Sequence, residues 1–312
     1  MKSSLLAFVL VPWLMPFAGC ERSRALDPPK AVPLREDGAL DLRLMSFNVR
    51  YENPNDRGAY SWRKRIRGAV RMIRAQKPDI IGVQEALHGQ AADLWASLPD
   101  YEFFGVGRDD GLRTGEYSGI FYQRDRFHLD PSDHGTFWLS DTPSDPGSRT
   151  WGNEITRVVT WMRLRDLATG RNFYVYNTHW DHKSQPAREK SALLTARRID
   201  ERAHPDDPVV LIGDFNSVES NPGYLYLTGN PVSLAGSIKS WANGLADTYQ
   251  KLHPGQENRR SLHFWKGNRD GSLKVDHIMV SRGARVREAA IVWEDEPVVS
   301  DHFPVTASVI FP

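Results

Sequence analysis

Five short apolar runs in this chain each close on a polar cluster: Ser46-Phe47-Asn48, Gln84-Glu85, Asn177-Thr178-His179, Gly213-Asp214-Phe215-Asn216 and Ser300-Asp301-His302. Two of the runs show what kind of element carries them. Leu42, Leu44 and Ser46 alternate with Arg43, Met45 and Phe47 up to Asn48, whereas Pro208-Val209-Val210-Leu211-Ile212-Gly213 is apolar throughout up to Asp214. Alternation marks a strand with one face in a core, and a short continuous apolar run marks a strand buried on both faces. The chain must therefore fold as sheets whose successive strand ends deliver Asn, Glu, His and Asp.

The rest of the pattern adds strands faster than helices. Ser61 is placed to cap a helix with Ile66, Ala69, Val70 and Ile73 on one face and Arg63, Lys64, Arg67, Arg71 and Arg74 on the other, ended by Pro78. A second helix is expected from about Pro186 to Ala203. Strands are expected at Asp79 to Val83, Tyr117 to Phe127, Leu262 to Lys266, Ser272 to Ser281, Ala289 to Trp293 and Val305 to Phe311. Val158 to Arg165 should pair with Asn172 to Asn177 through a turn at Asp166 to Gly170. Strands that outnumber widely separated helices predict an α/β (α+β) fold, two mixed β-sheets packed face to face with helices outside.

Residues 1–19 read as an export leader: Lys2, an apolar run from Leu5 to Phe17 that is too short to span a bilayer, then Ala18-Gly19 before Cys20. Cys20 is the only cysteine, so it has no partner for an internal disulfide. Its setting resembles the lipobox of bacterial lipoproteins, which implies lipidation at Cys20. Residues 20–40, rich in Pro and charge, then form a tether, and 41–312 one catalytic domain without internal repeats. Arg22, next but one to Cys20, is not the Asp associated with inner-membrane retention in that lipoprotein class. The expected location is the bacterial cell envelope, anchored to the outer membrane or cell surface. With 40 Lys+Arg against 39 Asp+Glu there is no global positive field, which disfavours long nucleic acids as partners without excluding them.

The clusters contain the parts of a hydrolytic site. A hard divalent cation such as Mg²⁺ takes one or two carboxylates and leaves positions for water and phosphate, a role that fits Glu85 and Asp301. A nucleophilic water needs a base and donors that stabilise charge on phosphoryl oxygens, and Asp214 with Asn216, His302 with Asp276, and His179 with Asn48 supply them. Strand alternation puts Val275, His277 and Met279 on one face and Asp276 with Ile278 on the other. Soft-metal chemistry lacks cysteines, Ser-His-Asp hydrolysis lacks a Gly-x-Ser-x-Gly elbow, and Gly105-Val106-Gly107 lacks a nucleotide-binding fingerprint.

In order and spacing, Phe47-Asn48, Gln84-Glu85, Asn177-Thr178-His179, Gly213-Asp214-Phe215-Asn216, Asp276-His277 and Ser300-Asp301-His302 closely resemble the endonuclease/exonuclease/phosphatase superfamily, over nearly the whole of 41–312. The resemblance implies a four-layer α/β sandwich and Mg²⁺- or Mn²⁺-dependent cleavage of phosphoester bonds. By the same resemblance Glu85 is the principal metal-binding carboxylate, with Asn48 and Asp301 completing the metal environment. Asp214 orients or deprotonates the attacking water, Asn216 positions phosphate, and His302, held by Asp276, contacts the scissile phosphate or activates water. His179 resembles the phosphate-stabilising His of the phosphatase, deadenylase and sphingomyelinase branches, and Tyr117 lies where the nuclease branch keeps a phosphate-contacting Tyr.

Four residues are candidates for substrate binding: Arg157 for phosphate, Trp180 directly after His179, His263, and Tyr117. Of the ten tryptophans, Trp62, Trp151, Trp180, Trp241 and Trp265 fall in expected loops, where a ring beside a phosphate site can stack on a sugar, an inositol or a base. The expected activity is phosphodiesterase or phosphatase action on sugar-phosphate, inositol-phosphate or phospholipid head-group substrates outside the cytoplasm. An extracellular nuclease and a non-catalytic carbohydrate- or lipid-binding surface protein are the alternatives. The sequence is silent on oligomeric state.

Overall fold

The structure is a computed structural model and describes residues 38–234, 236–293 and 299–312. The expected leader, Cys20 and the tether up to residue 37 lie outside them. In chain order the elements begin with β1 (Leu40–Asn48), α1 (Trp62–Gln76), β2 (Ile80–Ala86), α2 (His88–Ser97), β3 (Tyr101–Phe104), β4 (Tyr117–Gln123) and β5 (Phe127–Trp138). They continue with β6 (Val158–Asp166), β7 (Asn172–His179), α3 (Gln185–Asp200), β8 (Val209–Asp214), α4 (Pro222–Leu227), β9 (Val232–Leu234) and β10 (Ser237–Lys239). The last are β11 (Ala246–Asp247), α5 (Thr248–Leu252), β12 (Asp276–Val280), β13 (Arg285–Ile291) and β14 (Val305–Phe311).

Two six-stranded sheets result, ordered β13-β14-β1-β2-β4-β3 and β11-β12-β8-β7-β6-β5, with β9 and β10 as a separate hairpin. Both sheets are mixed: β1 with β2 and β7 with β8 are parallel, and the other pairs are antiparallel. A parallel step needs a crossover, which α1 and α3 provide. Leu42, Leu44, Ile80, Val175, Val210, Ile212 and Ile278 fill the space between the sheets. Met45, Ile81 and Val83 meet Ala69 and Ile73 of α1 and Leu94 of α2 on one outer face. Tyr176 and Leu211 meet Ala192 and Ile199 of α3 and Leu227 of α4 on the other. The result is a four-layer sandwich, in which each fully buried aliphatic side chain contributes about 1.5–3 kcal/mol.

The inner faces are graded toward one end. Alternation carries each strand from apolar residues (Leu42 and Leu44, Val175, Ile212) through buried polar ones (Ser46, Gln84, Asn177) to Asn48, His179 and Asp214. Gln84 Nε2 donates to Asn177 Oδ1 across the sheets at 2.7 Å, and Asn177 Nδ2 donates to Val83 O and Gly119 O at 2.9 and 2.7 Å. This close approach needs Gly82, where a Cβ would lie 2.7 Å from Ile212 Cγ2 and 2.9 Å from Asn177 Cγ.

Three local expectations are corrected. The run Tyr117 to Phe127 is two strands, because the chain turns after Gln123 and β5 joins the opposite sheet. Leu262 to Lys266 forms only an isolated bridge from Leu262 to His302, since Phe264 and Trp265 take left-handed backbone angles (φ 51° and 64°) that a strand excludes. Ser61 does precede α1, but its Oγ donates back to Gly58 O instead of capping the helix.

Candidate active site

Strands β1, β7 and β8 end on Asn48, His179 and Asp214, Glu85 stands one residue before the end of β2, and the antiparallel β12 begins beside them, with Asp276 opposite Asp214. His302 precedes β14, which runs antiparallel to β1, so it returns to the same end. Alternation alone would turn Glu85 away from Gln84's inner face. Instead the register of β2 against β4 shifts between Val83 and Ala86, and Glu85 sits in left-handed backbone at φ 63°. Such a bulge re-aims a side chain at a cost of order 1–3 kcal/mol for the strained residue. Asn216, at φ 47°, is a second such residue.

Asp214 is the hub. Its Oδ1 accepts from Asn216 N–H at 2.8 Å and its Oδ2 from Asn48 Nδ2 at 2.9 Å, while His179 Nε2 and His302 Nε2 lie 3.5 and 3.8 Å from Oδ2. Asn48 Nδ2 also donates to Glu85 Oε1 at 3.0 Å, and Tyr51 N–H donates to Glu85 Oε2 at 3.2 Å. Burial first, then the charge of Asp276, pushes the Asp214 carboxyl well above the usual carboxylate range. His302 moves upward too: burial opposes its charge, but Asp276 at 2.9 Å and Asp214 outweigh burial and favour imidazolium. The two groups therefore titrate as a pair.

His179 is the opposite case. Burial, followed by the charges of Arg157 and Arg108, holds it well below its ordinary value and hence neutral. Its Nε2 accepts from Asn216 Nδ2 at 2.9 Å, so its partner is Asn216 and not the expected Asn48. That leaves the proton on Nδ1, which faces Glu116 Oε2 at 3.9 Å. Arg157 is buried beside this His. Its Nη2 reaches His182 Nδ1 at 3.3 Å, but Nε and Nη1 make no hydrogen bond among the described residues. A buried guanidinium with donors to spare is suited to an anion.

The other proposed substrate contacts move back from the cleft. Trp180 is fully buried and stacked on Phe215 at 4.5 Å, so it packs behind the site. The Tyr117 hydroxyl donates to Leu112 O at 3.0 Å and lies 3.0 Å from His88 Nδ1, which leaves it engaged away from phosphate. His263 sits behind His302 with its ring 4.1 Å from Phe303 and its Nδ1 accepting from Gly267 N–H, and burial lowers it to about 4. Asp301 lines the Glu85 side, with Oδ2 3.7 Å from Arg50 Nη1. Burial is the first cause that raises its carboxyl, and the charge of Glu85 adds to it.

Several residues escaped the sequence reading. Arg108 grips Glu116 with two hydrogen bonds of 2.6 and 2.8 Å and so turns that carboxylate toward His179. Behind the Asp214 turn, Asp247 Oδ2 lies 3.0 Å from Lys274 Nζ and 2.7 Å from His277 Nδ1, while His277 Nε2 donates to Ser217 O at 2.8 Å. The placement of His277 opposite Asp276 was the only signal for that cluster.

Ligand atoms of Glu85, His179 and Asp214 lie within 4.8 Å of one another, as do those of Asp214, Asp276 and His302. The second trio is closed by the Asp276–His302 hydrogen bond. Around the first, Glu85, Asp214 and the nearby Asp301 gather carboxylates with no sulfur donor, a set that fits a hard divalent cation.

A sequence model described as the Endonuclease/Exonuclease/phosphatase family matches residues 45–302. The fold superposes on the crystal structure of an endonuclease/exonuclease/phosphatase from Bacteroides vulgatus with a TM-score of 0.76 and 34% identity, covering 88% of this chain and 100% of that one. A mannosyl-6-phosphatase of Bacteroides thetaiotaomicron is similar at TM-score 0.76 and 31% identity, covering 86% and 100%. A probable RNA exonuclease of Saccharomyces cerevisiae is 24% identical over 74% of this chain, which spans about half (48%) of that protein.

Proposed function

The chain belongs to the endonuclease/exonuclease/phosphatase family, whose members hydrolyse phosphoesters, and on that basis we propose that it is a divalent-metal-dependent phosphatase acting on a sugar phosphate. The observation that carries this reading is the buried Asp214 carboxylate, fixed by Asn48 and Asn216 and facing both His179 and His302.

In the proposed reaction a water held at Asp214 attacks phosphorus. Its oxygen forms the new P–O bond, its proton passes to Asp214 Oδ2, the P–O bond to the sugar oxygen breaks, and the departing oxygen takes a proton from solvent. A base whose affinity for protons is raised toward neutrality by burial suits that transfer. The His302 imidazolium, locked by Asp276, faces the oxygens on which charge accumulates, whereas the Asn216 amide donates to His179 Nε2 and Trp180 O, both at 2.9 Å, and so orients His179 instead of positioning phosphate as expected. Arg157 offers a phosphoryl oxygen donors that have no hydrogen-bond partner among the described residues, and neutral His179, its Nε2 accepting from Asn216, holds the turn that follows Asp214. When bound by Glu85, Asp301 and the neighbouring donors, Mg²⁺ or Mn²⁺ would neutralise phosphate charge and polarise phosphorus.

Sugar phosphate is favoured by the mannosyl-6-phosphatase likeness, which spans the whole of that relative, and by the balanced charge of the chain. The test compares turnover of mannose 6-phosphate, inositol phosphates, bis(p-nitrophenyl) phosphate and plasmid DNA by the full chain with Mg²⁺, Mn²⁺ or EDTA. The expected result is metal-dependent turnover with the highest kcat/KM on mannose 6-phosphate. Preference for DNA would replace this reading with that of a nuclease. Export and anchoring through Cys20 are part of the proposal, supported by Lys2, the apolar run and Ala18-Gly19-Cys20. Cys20→Ser should release the protein from the membrane fraction, and unchanged fractionation would sink the anchor.

A further inference from the structure

Helix α1 carries charge of one sign only. Arg63, Lys64, Arg67, Arg71 and Arg74 are exposed along it, exposed Lys77 closes it, and no acidic residue lies between Ser61 and Pro78. Among the described residues none of these cations forms an ion pair, and Arg74 donates instead to Ser97 O at 2.8 Å. The one acid of the neighbouring α2, Asp93, is engaged by Trp62 Nε1 at 2.9 Å.

This arrangement works against the helix. Arg63, Arg67 and Arg71 follow at four-residue spacing, and Arg71, Arg74 and Lys77 at three, so like charges face each other along its length. Arg74 and Lys77 suit the negative end of the helix dipole, but Arg63 and Lys64 stand at its positive end. A face that is only solvated mixes its signs, as α3 does where Arg197 lies 3.9 Å from Glu201. The remaining cation, Arg65, turns inward: its Nη1 donates to Val49 O and Val299 O at 2.6 and 2.8 Å, and its Nε to Tyr60 O at 2.7 Å. A chain with 40 Lys+Arg and 39 Asp+Glu thus concentrates an unbalanced positive strip, about 22 Å long, on one element.

We propose that this strip docks on the phosphates of an anionic lipid surface and holds the domain against the membrane, an inference that takes from the reading above only the anchor at Cys20. Attraction between such cations and anionic lipids fades within about one Debye length, roughly 8 Å at physiological salt, so the strip must be kept close. Residues 20–37 meet that need, because they span at most about 60 Å when extended and on the order of 23 Å as a flexible chain. They also join the fold beside the end of α1: Leu44 of β1 pairs with Ile80, which follows Lys77 by three residues. Anchor and basic strip together supply the two signals that stable membrane attachment requires. A nucleic acid offers the same phosphates, but α1 covers the outer face of its sheet whereas the cleft opens at the strand ends, so a polymer lying along the strip is not led to Asp214. A lipid surface needs no such path.

The test uses the full chain with Cys20→Ser, which carries no acyl group, in flotation assays at physiological salt with vesicles of phosphatidylcholine alone or mixed with phosphatidylglycerol. The leader is common to every variant, so the excess of binding on anionic over neutral vesicles reads the strip alone. That excess should fall by at least about tenfold in Arg67→Gln/Arg71→Gln and be kept in Arg67→Lys/Arg71→Lys. Equal binding to the two vesicles, or an excess that the Gln variant retains, overturns the proposal. Binding to double-stranded DNA with no excess on anionic vesicles also overturns it and gives the face to nucleic acid. In cells a high-salt wash separates the two attachments, since it strips a docked domain and leaves an acylated one. Cys20→Ser that stays through the wash sinks the anchor, while the vesicle result stands or falls by itself.

Discussion

His302 Nδ1 lies 2.9 Å from Asp276 Oδ2, and the same imidazole turns Nε2 toward Asp214 Oδ2 at 3.8 Å. Asp276 raises the proton affinity of both His302 and Asp214. In a reaction that needs Asp214 ionised and His302 protonated, activity rises through the Asp214 titration and falls through that of His302. Asp276→Asn removes the charge that raises both, so both limbs of the pH–rate profile should move to lower pH. The maximal rate should fall about 10²–10⁴-fold, the usual range for a disabled acid–base group. Unmoved limbs would contradict the pairing.

Asn48 bridges Glu85 Oε1 and Asp214 Oδ2 with one amide nitrogen. Asn48→Ala leaves the buried Asp214 carboxylate and the half-buried Glu85 carboxylate facing each other without that donor. Expected outcomes are a loss of about 10²-fold in kcat, comparable to loss of one oriented hydrogen-bond donor, and a changed affinity for Mg²⁺ by calorimetry.

The Lys274–Asp247–His277 cluster should matter to stability. All three side chains are essentially buried, and neutralising Asp247 removes the carboxylate 3.0 Å from the Lys274 ammonium and leaves only Glu219 Oε1, at 3.8 Å. Asp247→Asn should cost about 3–5 kcal/mol in urea unfolding, the usual penalty for breaking a buried pair from one side. A loss below about 1 kcal/mol would mean that the pair is not closed in solution.

His263 supplies a stability slope with a definite sign. Burial lowers it from the ordinary 6.5 to about 4, so between those values the unfolded chain binds a proton that the folded chain refuses. Its contribution is therefore undiminished above about pH 6.5 and is lost as pH falls toward 4, by up to about 3 kcal/mol. Urea unfolding of wild type and His263→Gln at pH 7 and 4.5 checks this, with the wild type losing more on acidification.

Much of this arrangement was legible from strand ends alone. Asn48, His179, Asp214 and Asp276 follow from period-2 strands that close on polar residues, since alternation fixes which face each one meets. Glu85 needed a register shift that no periodicity announces, and the Asn216–His179 pairing depends on a left-handed residue. Trp180 looked like a pocket residue because it follows His179, yet one step along the chain reversed its direction into the Phe215 stack. Arg65 and Arg108 were invisible as partners because their contacts are long-range and largely to backbone or to a residue outside the motifs. The aromatic loop was hidden for the opposite reason: Leu262 to Lys266 reads as a strand until its φ angles are known.

Asp214 is the base in the proposed metal-dependent phosphatase reaction. Its most direct test is the turnover of mannose 6-phosphate by the full chain and by Asp214→Asn, each in Mg²⁺ and in EDTA, with folding verified by circular dichroism. Predicted is turnover by the wild type that EDTA abolishes and magnesium restores, and a fall of at least about 10³-fold in folded Asp214→Asn. Wild-type rates in the variant, or turnover that persists in EDTA, would contradict it.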